Sequence, residues 1–145
     1  MARFDFLKPG ERLCGEWLAQ AHGTRYQLPH EPFVAFDLMR GHERATLAEF
    51  TERASARQFV LPQLLHAGGP LGIEAALALV NPGYHGALDP VEGAVWRVER
   101  KGVVDFLAKW VRPDKLDGCY LPEISGKDPV WNWASPWVWH WEPLT

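Results

Sequence analysis

The 145-residue chain is large enough for one domain with its own core, and a hydrophobic fraction of 47% excludes a disordered protein. A formal net charge of -3 argues against the basic overall surface that is typical of nucleic-acid-binding domains, while a local basic groove stays open. The N-terminus has no apolar stretch typical of a signal peptide, no segment approaches a membrane span, and Cys14 and Cys119 lack metal-binding spacing. We therefore expect a cytoplasmic protein with free thiols.

Residues 12–80 predict two main strands, a short strand over residues 59–61 and two helices. Residues 12–18 and residues 33–39 have the composition of strands, and the second run is apolar on both faces. We therefore expect the second strand in the centre of a sheet. Thr46 and Glu49 have capping-box spacing, which predicts a helix with Thr46 as N-cap and Glu49 reaching back to it. Residues 73–80 predict a second helix.

The second half predicts a β-hairpin. Residues 95–100 and 103–111 are extended runs, and the Lys101-Gly102 pair between them is typical of a tight turn. Glu92 lies at the start of one strand and Lys109 near the far end of the other. Because antiparallel partners bring such ends together, we expect these two side chains to be neighbours. The predicted fold class is α+β, with antiparallel β-sheets and short helices.

The last part of the chain is rich in tryptophan, namely Trp131, Trp133, Trp137, Trp139 and Trp141. The last three alternate, so a strand would place all three rings on one face. Such rings can stack on bases or sugars, but alternating aromatic residues more commonly cover a sheet face. We expect them to belong to the core.

Short motifs with polar residues follow one another in a fixed order. Gly15-Glu16 lies within residues 13–18, Phe36-Asp37 within residues 33–38, and Glu92-Gly93 opens residues 92–97. Lys109 then interrupts an apolar run. An unpaired charge in a buried strand is costly, so several such residues in one small chain predict strands that converge on a polar ligand.

The order and the residues of these motifs resemble the ATP-dependent RNA ligase family. That family belongs to the covalent nucleotidyltransferases, which also include DNA ligases and mRNA capping enzymes. The resemblance runs from about residue 10 to residue 133, and it is strongest at the motif residues just named. It implies that residues 1–145 are a single, partial nucleotidyltransferase domain of the ligase and capping-enzyme type. It also implies that RNA ends are joined through an adenylylated intermediate, with ATP and Mg²⁺.

The resemblance also assigns roles to individual residues. It implies that Glu92 and Lys109 are the two catalytic residues. By this resemblance, Glu92 binds the metal, and Lys109 contacts the α-phosphate. The residues that it assigns to the nucleotide are Gly15, Glu16, Phe36, Arg97 and Lys109. Relatives carry a second lysine two positions after Lys109, where this chain has Val111. The residues themselves leave simpler alternatives open, since Phe36 is also typical of a core, Glu16 of a strand surface and Lys109 of a sheet edge.

One family element is expected to be missing. The nucleophile of the family lies in a Lys-x-Asp-Gly element before the Gly-Glu strand, and the 14 residues before Gly15 do not contain it. We therefore expect the back portion of a catalytic domain, inactive alone and stabilised by a separate upstream segment. Apolar side chains are expected to be left exposed around Leu13, Trp17, Val34 and Leu38.

Residues 115–118 read Lys-Leu-Asp-Gly and match the nucleophile element literally. They follow the last strand motif, whereas the family's nucleophile precedes the first, and their neighbourhood has the composition of a polar turn. We interpret them as a decoy. The alternative is a circularly permuted ligase that uses Lys115.

Two rival functions come from other classes. The first is a non-catalytic module that binds a nucleotide or nucleic acid through Glu16, Phe36 and the tryptophans. The second is a hydrolase that uses Glu16 and Glu92 as a carboxylate pair, which explains neither Lys109 nor Phe36. Binding of ATP or AMP would favour a ligase or a binding module, and covalent label transfer would separate those two.

Overall fold

The computed structural model describes residues 3–134, and its architecture is α+β, as the sequence predicts. Three strands form one antiparallel sheet and two form a separate antiparallel hairpin. The strands are β1 (Glu11–Trp17), β2 (Phe33–Arg40), β3 (Glu43–Arg44), β4 (Gly93–Arg100) and β5 (Val103–Val111). The helices are α1 (Leu47–Ser55), α2 (Ile73–Ala78) and α3 (Pro122–Ser125), and a 3-10 turn covers Tyr84–Gly86.

Strand β2 is the centre of the first sheet, which confirms the expectation from its two apolar faces. The pairing of β1 with β2 contains a β-bulge: Cys14 lies opposite Asp37, and Gly15 lies opposite Ala35. Phe36 is therefore the extra residue of the bulge. Bulges change the direction of side chains, and this one separates Phe36 from the core face of its strand.

Helix α1 covers the core face of β2. The Thr46 hydroxyl accepts a hydrogen bond from the Glu49 amide at 3.3 Å, so the predicted N-cap is confirmed. The second half of the predicted capping box is wrong, because the Glu49 carboxylate accepts hydrogen bonds from Arg40 and Arg53 instead. Buried residues of β2, α1 and the adjoining segments form the core, namely Ala35, Leu38, Ala45, Phe50, Ala54 and Phe59.

The expected exposure of four apolar side chains on the first sheet is correct only at Trp17, whose exposed fraction is 62%. Leu38 lies within the core and Leu13 packs against it. Val34 is buried as well, and its backbone pairs with Val60 in a parallel bridge. The segment after α1 thus covers part of the expected open surface. Strand β1 has no second strand partner within residues 3–134, so its outer edge stays unpaired there.

The hairpin of β4 and β5 confirms the turn signal in the sequence. Lys101 and Gly102 both adopt left-handed backbone angles, with φ of 53° and 76°. Positive φ at both central residues is the requirement of a type I′ turn, whose twist matches that of the strands. The turn sets the pairing of Arg100 with Val103 and of Glu99 with Val104, and a bulge between Val98 and Glu99 then shifts the register by one residue.

The two sheets are joined by a buried ion-pair cluster around Asp37, whose side chain is only 1% exposed. Arg97 of β4 donates to one carboxylate oxygen of Asp37 at 3.2 Å, and Arg44 of β3 pairs with the other oxygen. Arg97 also donates to the Ala45 carbonyl. The Asp37 carboxylate is thus one of the contacts that hold the hairpin against the first sheet.

The structure describes only part of the tryptophan-rich segment. Trp131 is exposed and forms an isolated antiparallel bridge with Gln20, while Trp133 is half-buried. The expectation for Trp137, Trp139 and Trp141 lies outside the described residues. Within residues 3–134, no helix is both long enough and apolar enough to cross a membrane.

Two carboxylates anchor the edges of the fold. The Glu11 carboxylate accepts hydrogen bonds from Arg53 and Arg40. The hydrogen bond from Arg53 outweighs burial and holds the pKa of Glu11 well below its ordinary value of 4.5. Asp89 accepts two hydrogen bonds from the guanidinium of Arg25, which lower the pKa of Asp89 from 3.8 to about 2.

We expect the protein to lose stability in acid. Both carboxylates have lower pKa values folded than unfolded, so their stabilisation is present above pH 4.5 and is lost as the pH falls toward 2. Denaturant unfolding measured from pH 7 to pH 2 should show this loss. Glu11→Gln should lower stability at pH 7 and flatten the pH dependence, whereas Glu123→Gln, at the exposed start of α3, should change neither. An unchanged pH dependence in Glu11→Gln would contradict this account.

Candidate nucleotide-binding cleft

Glu16 and Phe36 share one face of the first sheet. Glu16 pairs with Val34 across the two strands, and Phe36 follows Val34 by two residues. Ala35 and Leu38 point the other way, into the core under α1. Phe36 is 45% exposed, so its ring belongs to the surface of the sheet and not to the core.

Arg97 and Lys109 share one face of the hairpin. Arg97 pairs with Leu107, and Val95 pairs with Lys109. These are successive pairs on one face, so Arg97 and Lys109 lie on the same side of the hairpin. Because Arg97 reaches Asp37 in β2, this face of the hairpin is directed toward the first sheet. The motifs single out Glu16, Phe36, Glu92 and Lys109, and the prediction that these four residues border one cleft defines the candidate cleft.

A half-exposed carboxylate, Glu92, lies immediately before β4. Its backbone carbonyl accepts a hydrogen bond from the Arg112 amide at 2.9 Å, which extends the hairpin pairing by one step. The Lys109 ammonium lies 3.5 Å from Glu92 Oε1, so these two side chains are neighbours, as the hairpin register predicts. The Lys115 ammonium contacts the same oxygen.

Lys115 lies in the turn that the sequence predicts, but its side chain is directed inward and is only 14% exposed. Its ammonium contacts Glu92 and lies 2.8 Å from Asp117 Oδ1. Burial opposes its charge, yet the hydrogen bonds to Asp117 and Glu92 outweigh burial and raise the pKa of Lys115 above its ordinary value. The loop therefore adds a second ammonium beside Glu92.

Tyr26 is a half-buried neighbour of the candidate cleft. Burial raises the pKa of its phenol, and the negative charges of Glu16 and Glu92 raise it further, while Lys115 lowers it. Both carboxylates therefore act on the same hydroxyl from within electrostatic range. That Glu16 and Glu92 line one site stays a prediction.

The two motif glycines are required by the protein's own packing. A Cβ atom at Gly15 would lie 2.6 Å from the Val34 carbonyl oxygen and would overlap the Phe33 ring. A Cβ atom at Gly93 would lie 2.9 Å from the Trp110 carbonyl carbon, with the carbonyl oxygen closer still. The sequence leaves open whether a ligand or the backbone approaches these positions, and the structure places protein atoms there. A nucleotide contact of Gly15 stays a prediction.

Arg97 is only 14% exposed, and its guanidinium is engaged by protein groups. It donates to Asp37, to the Ala45 carbonyl and, at 3.1 Å, to Glu99. These contacts join the hairpin to the first sheet beside the cleft. The predicted contact between Arg97 and a nucleotide stays a prediction.

A family model described as RNA ligase matches residues 3–111, three quarters of the chain. The chain belongs to the RNA ligase family. The match covers β1 to β5, so Glu16, Phe36, Glu92 and Lys109 all lie inside it. It ends at Val111, and Lys115 lies beyond it. No curated protein and no solved structure matches the chain.

The carboxylate that this RNA ligase domain offers in the candidate cleft suits a magnesium ion only together with phosphate oxygens as further ligands. Among residues 3–134 there is no group of three or more His, Cys, Asp or Glu side chains that could hold a metal ion. Glu92 offers one carboxylate. Mg²⁺ is commonly held by one or two carboxylates together with phosphate oxygens and water, which is the arrangement that Glu92 fits.

Sequence reasoning did not assign Tyr26 or Asp117 to the site of this RNA ligase domain and treated Lys115 as a decoy. Tyr26 comes from the segment between β1 and β2, where nothing in the sequence marks it. Lys115 and Asp117 did carry a signal, their literal Lys-x-Asp-Gly spacing. That signal suggested a nucleophile or a chance match. In the structure, the Lys115 amine contacts the Glu92 carboxylate.

Proposed function

We propose that this RNA ligase domain binds ATP in the candidate cleft and serves the joining of RNA ends through an adenylylated intermediate. The observation that carries the proposal is an exposed aromatic ring, Phe36, next to Asp37, which Arg97 contacts from the hairpin face that also carries Lys109. A base, a sugar and a phosphate chain need an aromatic face, hydrogen-bond acceptors and cations. The cleft offers all three, and the family match is consistent with this use.

In the proposed complex each side chain has one task. Phe36 stacks on the adenine ring, and the Glu16 carboxylate accepts hydrogen bonds from ribose hydroxyls. Lys109, whose side chain is 61% exposed, releases Glu92 and binds a phosphate oxygen. Glu92 would hold Mg²⁺, which would supply positive charge to the phosphate oxygens.

Replacing Phe36 with alanine should weaken ATP binding about tenfold or more, because stacking of one base on an aromatic ring contributes about 1–3 kcal/mol. Stability should change little, since the ring is 45% exposed. Calorimetric titration with ATP measures the affinity, and urea denaturation measures the stability. Phe106→Ala is the matched control, because Phe106 is equally exposed but lies on the opposite face of the hairpin from Lys109.

Two results would contradict the assignment of Phe36. One is unchanged ATP affinity in Phe36→Ala, and the other is a loss of stability that accounts for the weaker binding. An equal loss of affinity in Phe106→Ala would also contradict it, because the effect would then not be specific to the cleft.

A second measurement separates a ligase domain from a binding module. In the family that the motifs resemble, AMP is carried by the lysine of a Lys-x-Asp-Gly element before the Gly-Glu strand, and the 14 residues before Gly15 contain none. The 145-residue chain should therefore bind ATP without forming a protein–AMP adduct when it is incubated with labelled ATP and Mg²⁺. Adding a segment that carries such an element should restore label transfer if the domain is a ligase domain. Binding with no transfer in either case would favour the non-catalytic module.

A further inference from the structure

Two lysines reach the same carboxylate oxygen from different parts of the chain. Lys109 comes from β5, and Lys115 comes from the loop that follows β5; both ammonium groups contact Glu92 Oε1. The other acid beside Lys115, Asp117, has a side chain that is 91% exposed, so water and salt screen its charge. Two ammonium groups thus lie beside Glu92, and Asp117 is the second carboxylate at this corner.

The loop holds Lys115 in this position through contacts of its own. The absence of a side chain at Gly23 leaves room for the Lys115 stem, since a Cβ there would lie 3.2 Å from Lys115 Cε. The Tyr120 amide donates to the His22 carbonyl at 2.8 Å and fixes the end of the loop on the same segment. A surface lysine ordinarily extends its amine into water. Here the stem is packed, and the amine is directed toward Glu92.

Strand β5 itself provides only one cation at this corner. Lys109 and Val111 lie on the same face of β5, because they are two residues apart, and Val111 cannot bind an anion. The next basic group that contacts Glu92 is Lys115. The loop thus supplies the second positive charge that the strand lacks.

We propose that Lys115 is a second phosphate-binding residue, which together with Lys109 holds a phosphate group beside Glu92. The proposal rests on the function proposed above. The chemistry that it requires is a phosphate monoester or a polyphosphate, which either the phosphate chain of ATP or the 5′-phosphate of an RNA end can supply. Lys115 acts by binding and carries no covalent bond to AMP.

The test compares Lys115→Met with Lys115→Arg in the 145-residue chain. Lys115→Met should weaken binding of ATP and of tripolyphosphate about tenfold, as expected for the loss of one charge-assisted contact. Binding of adenosine, which has no phosphate, should stay unchanged, and Lys115→Arg should restore most of the affinity. Lys127→Met removes an exposed lysine near α3 and should behave as the unchanged protein.

The same variants distinguish the two phosphate sources. A dependence on Lys115 that is seen with ATP assigns it to the nucleotide. A dependence that is seen only with 5′-phosphorylated RNA, and not with 5′-hydroxyl RNA, assigns it to the RNA end. Either result supports the proposal.

Three results would overturn the proposal. The first is unchanged binding of every phosphate ligand in Lys115→Met. The proposed ATP-binding function would still stand in that case if Phe36→Ala weakens ATP binding. The second is an equal loss of adenosine and ATP binding, which would make Lys115 a purely structural residue. The third is a protein–AMP adduct that Lys115→Met abolishes, which would make Lys115 the nucleophile of a permuted ligase. Lys115-dependent binding of tripolyphosphate without binding of adenosine or ATP would instead refute the proposed function alone.

Discussion

Replacing Asp37 with alanine is expected to lower the free energy of unfolding by about 3–5 kcal/mol, the range for breaking a buried ion pair by removing one partner. Asp37 is 1% exposed and is shared by Arg44 and Arg97, so its loss leaves the largely buried guanidinium of Arg97 with Glu99 as its remaining carboxylate partner. Urea denaturation at pH 7 measures the change. The hairpin should separate from the first sheet before the core under α1 unfolds.

The matched control is Asp105→Ala on β5. Asp105 pairs with Arg100 at 3.1 Å, but both side chains are exposed, and exposed ion pairs contribute about 0–1 kcal/mol. A double-mutant cycle of Asp37 and Arg97 should give a coupling energy well above that of Asp105 and Arg100. Equal effects of the two aspartate substitutions would show that the Asp37 cluster does not hold the sheets together.

The Asp37 cluster also links the fold to the candidate cleft. Phe36 is the residue before Asp37, and Lys109 shares a hairpin face with Arg97. The contact that joins the two sheets therefore lies directly beside the residues proposed to bind the nucleotide. Asp37, the charged residue of an apolar strand, thus makes a structural contact, whereas the site role of its neighbour Phe36 is a proposal.

The strands could be predicted from the sequence because their signals are local. The apolar run of β2 predicts a central strand, and Lys101-Gly102 between two extended runs predicts the hairpin. Antiparallel pairing brings Lys109 near Glu92, although the bulge between Val98 and Glu99, which shifts the register by one residue, is not predicted. The apolar pattern of the strands and the residues of the hairpin turn thus account for the fold class. The antiparallel pairing of the hairpin accounts for one contact of the candidate site.

The features that could not be predicted depend on contacts between distant segments. The burial of Val34 comes from residues after α1, and the position of the Lys115 amine comes from packing on Gly23. The bulge that exposes Phe36 comes from the alignment of β1 with β2. None of these has a signal within a few residues of the position that it affects. The motif spacing around Lys115 did not indicate what its amine contacts.

Replacing Gly93 with alanine is expected to destabilise the hairpin by about 3 kcal/mol, at the upper end of the usual cost of overpacking. The new Cβ would overlap the Trp110 carbonyl, which is backbone in the neighbouring strand and has no alternative rotamer. Glu92 precedes Gly93, so the Glu92 carboxylate should shift away from Lys109. Both stability in urea and affinity for ATP should therefore fall in this variant.

Gly69→Ala is the control for Gly93→Ala, because nothing lies within 4 Å of a Cβ at Gly69 and its φ is not positive. It should leave stability within about 0.5 kcal/mol of the starting value, as surface substitutions usually do. If Gly93→Ala were equally neutral, the close approach of Trp110 would not be a constraint, and the glycine would instead be needed for a ligand. In that case stability would stay unchanged while ATP affinity alone fell. The two measurements together therefore decide whether Gly93 serves the hairpin or the bound nucleotide.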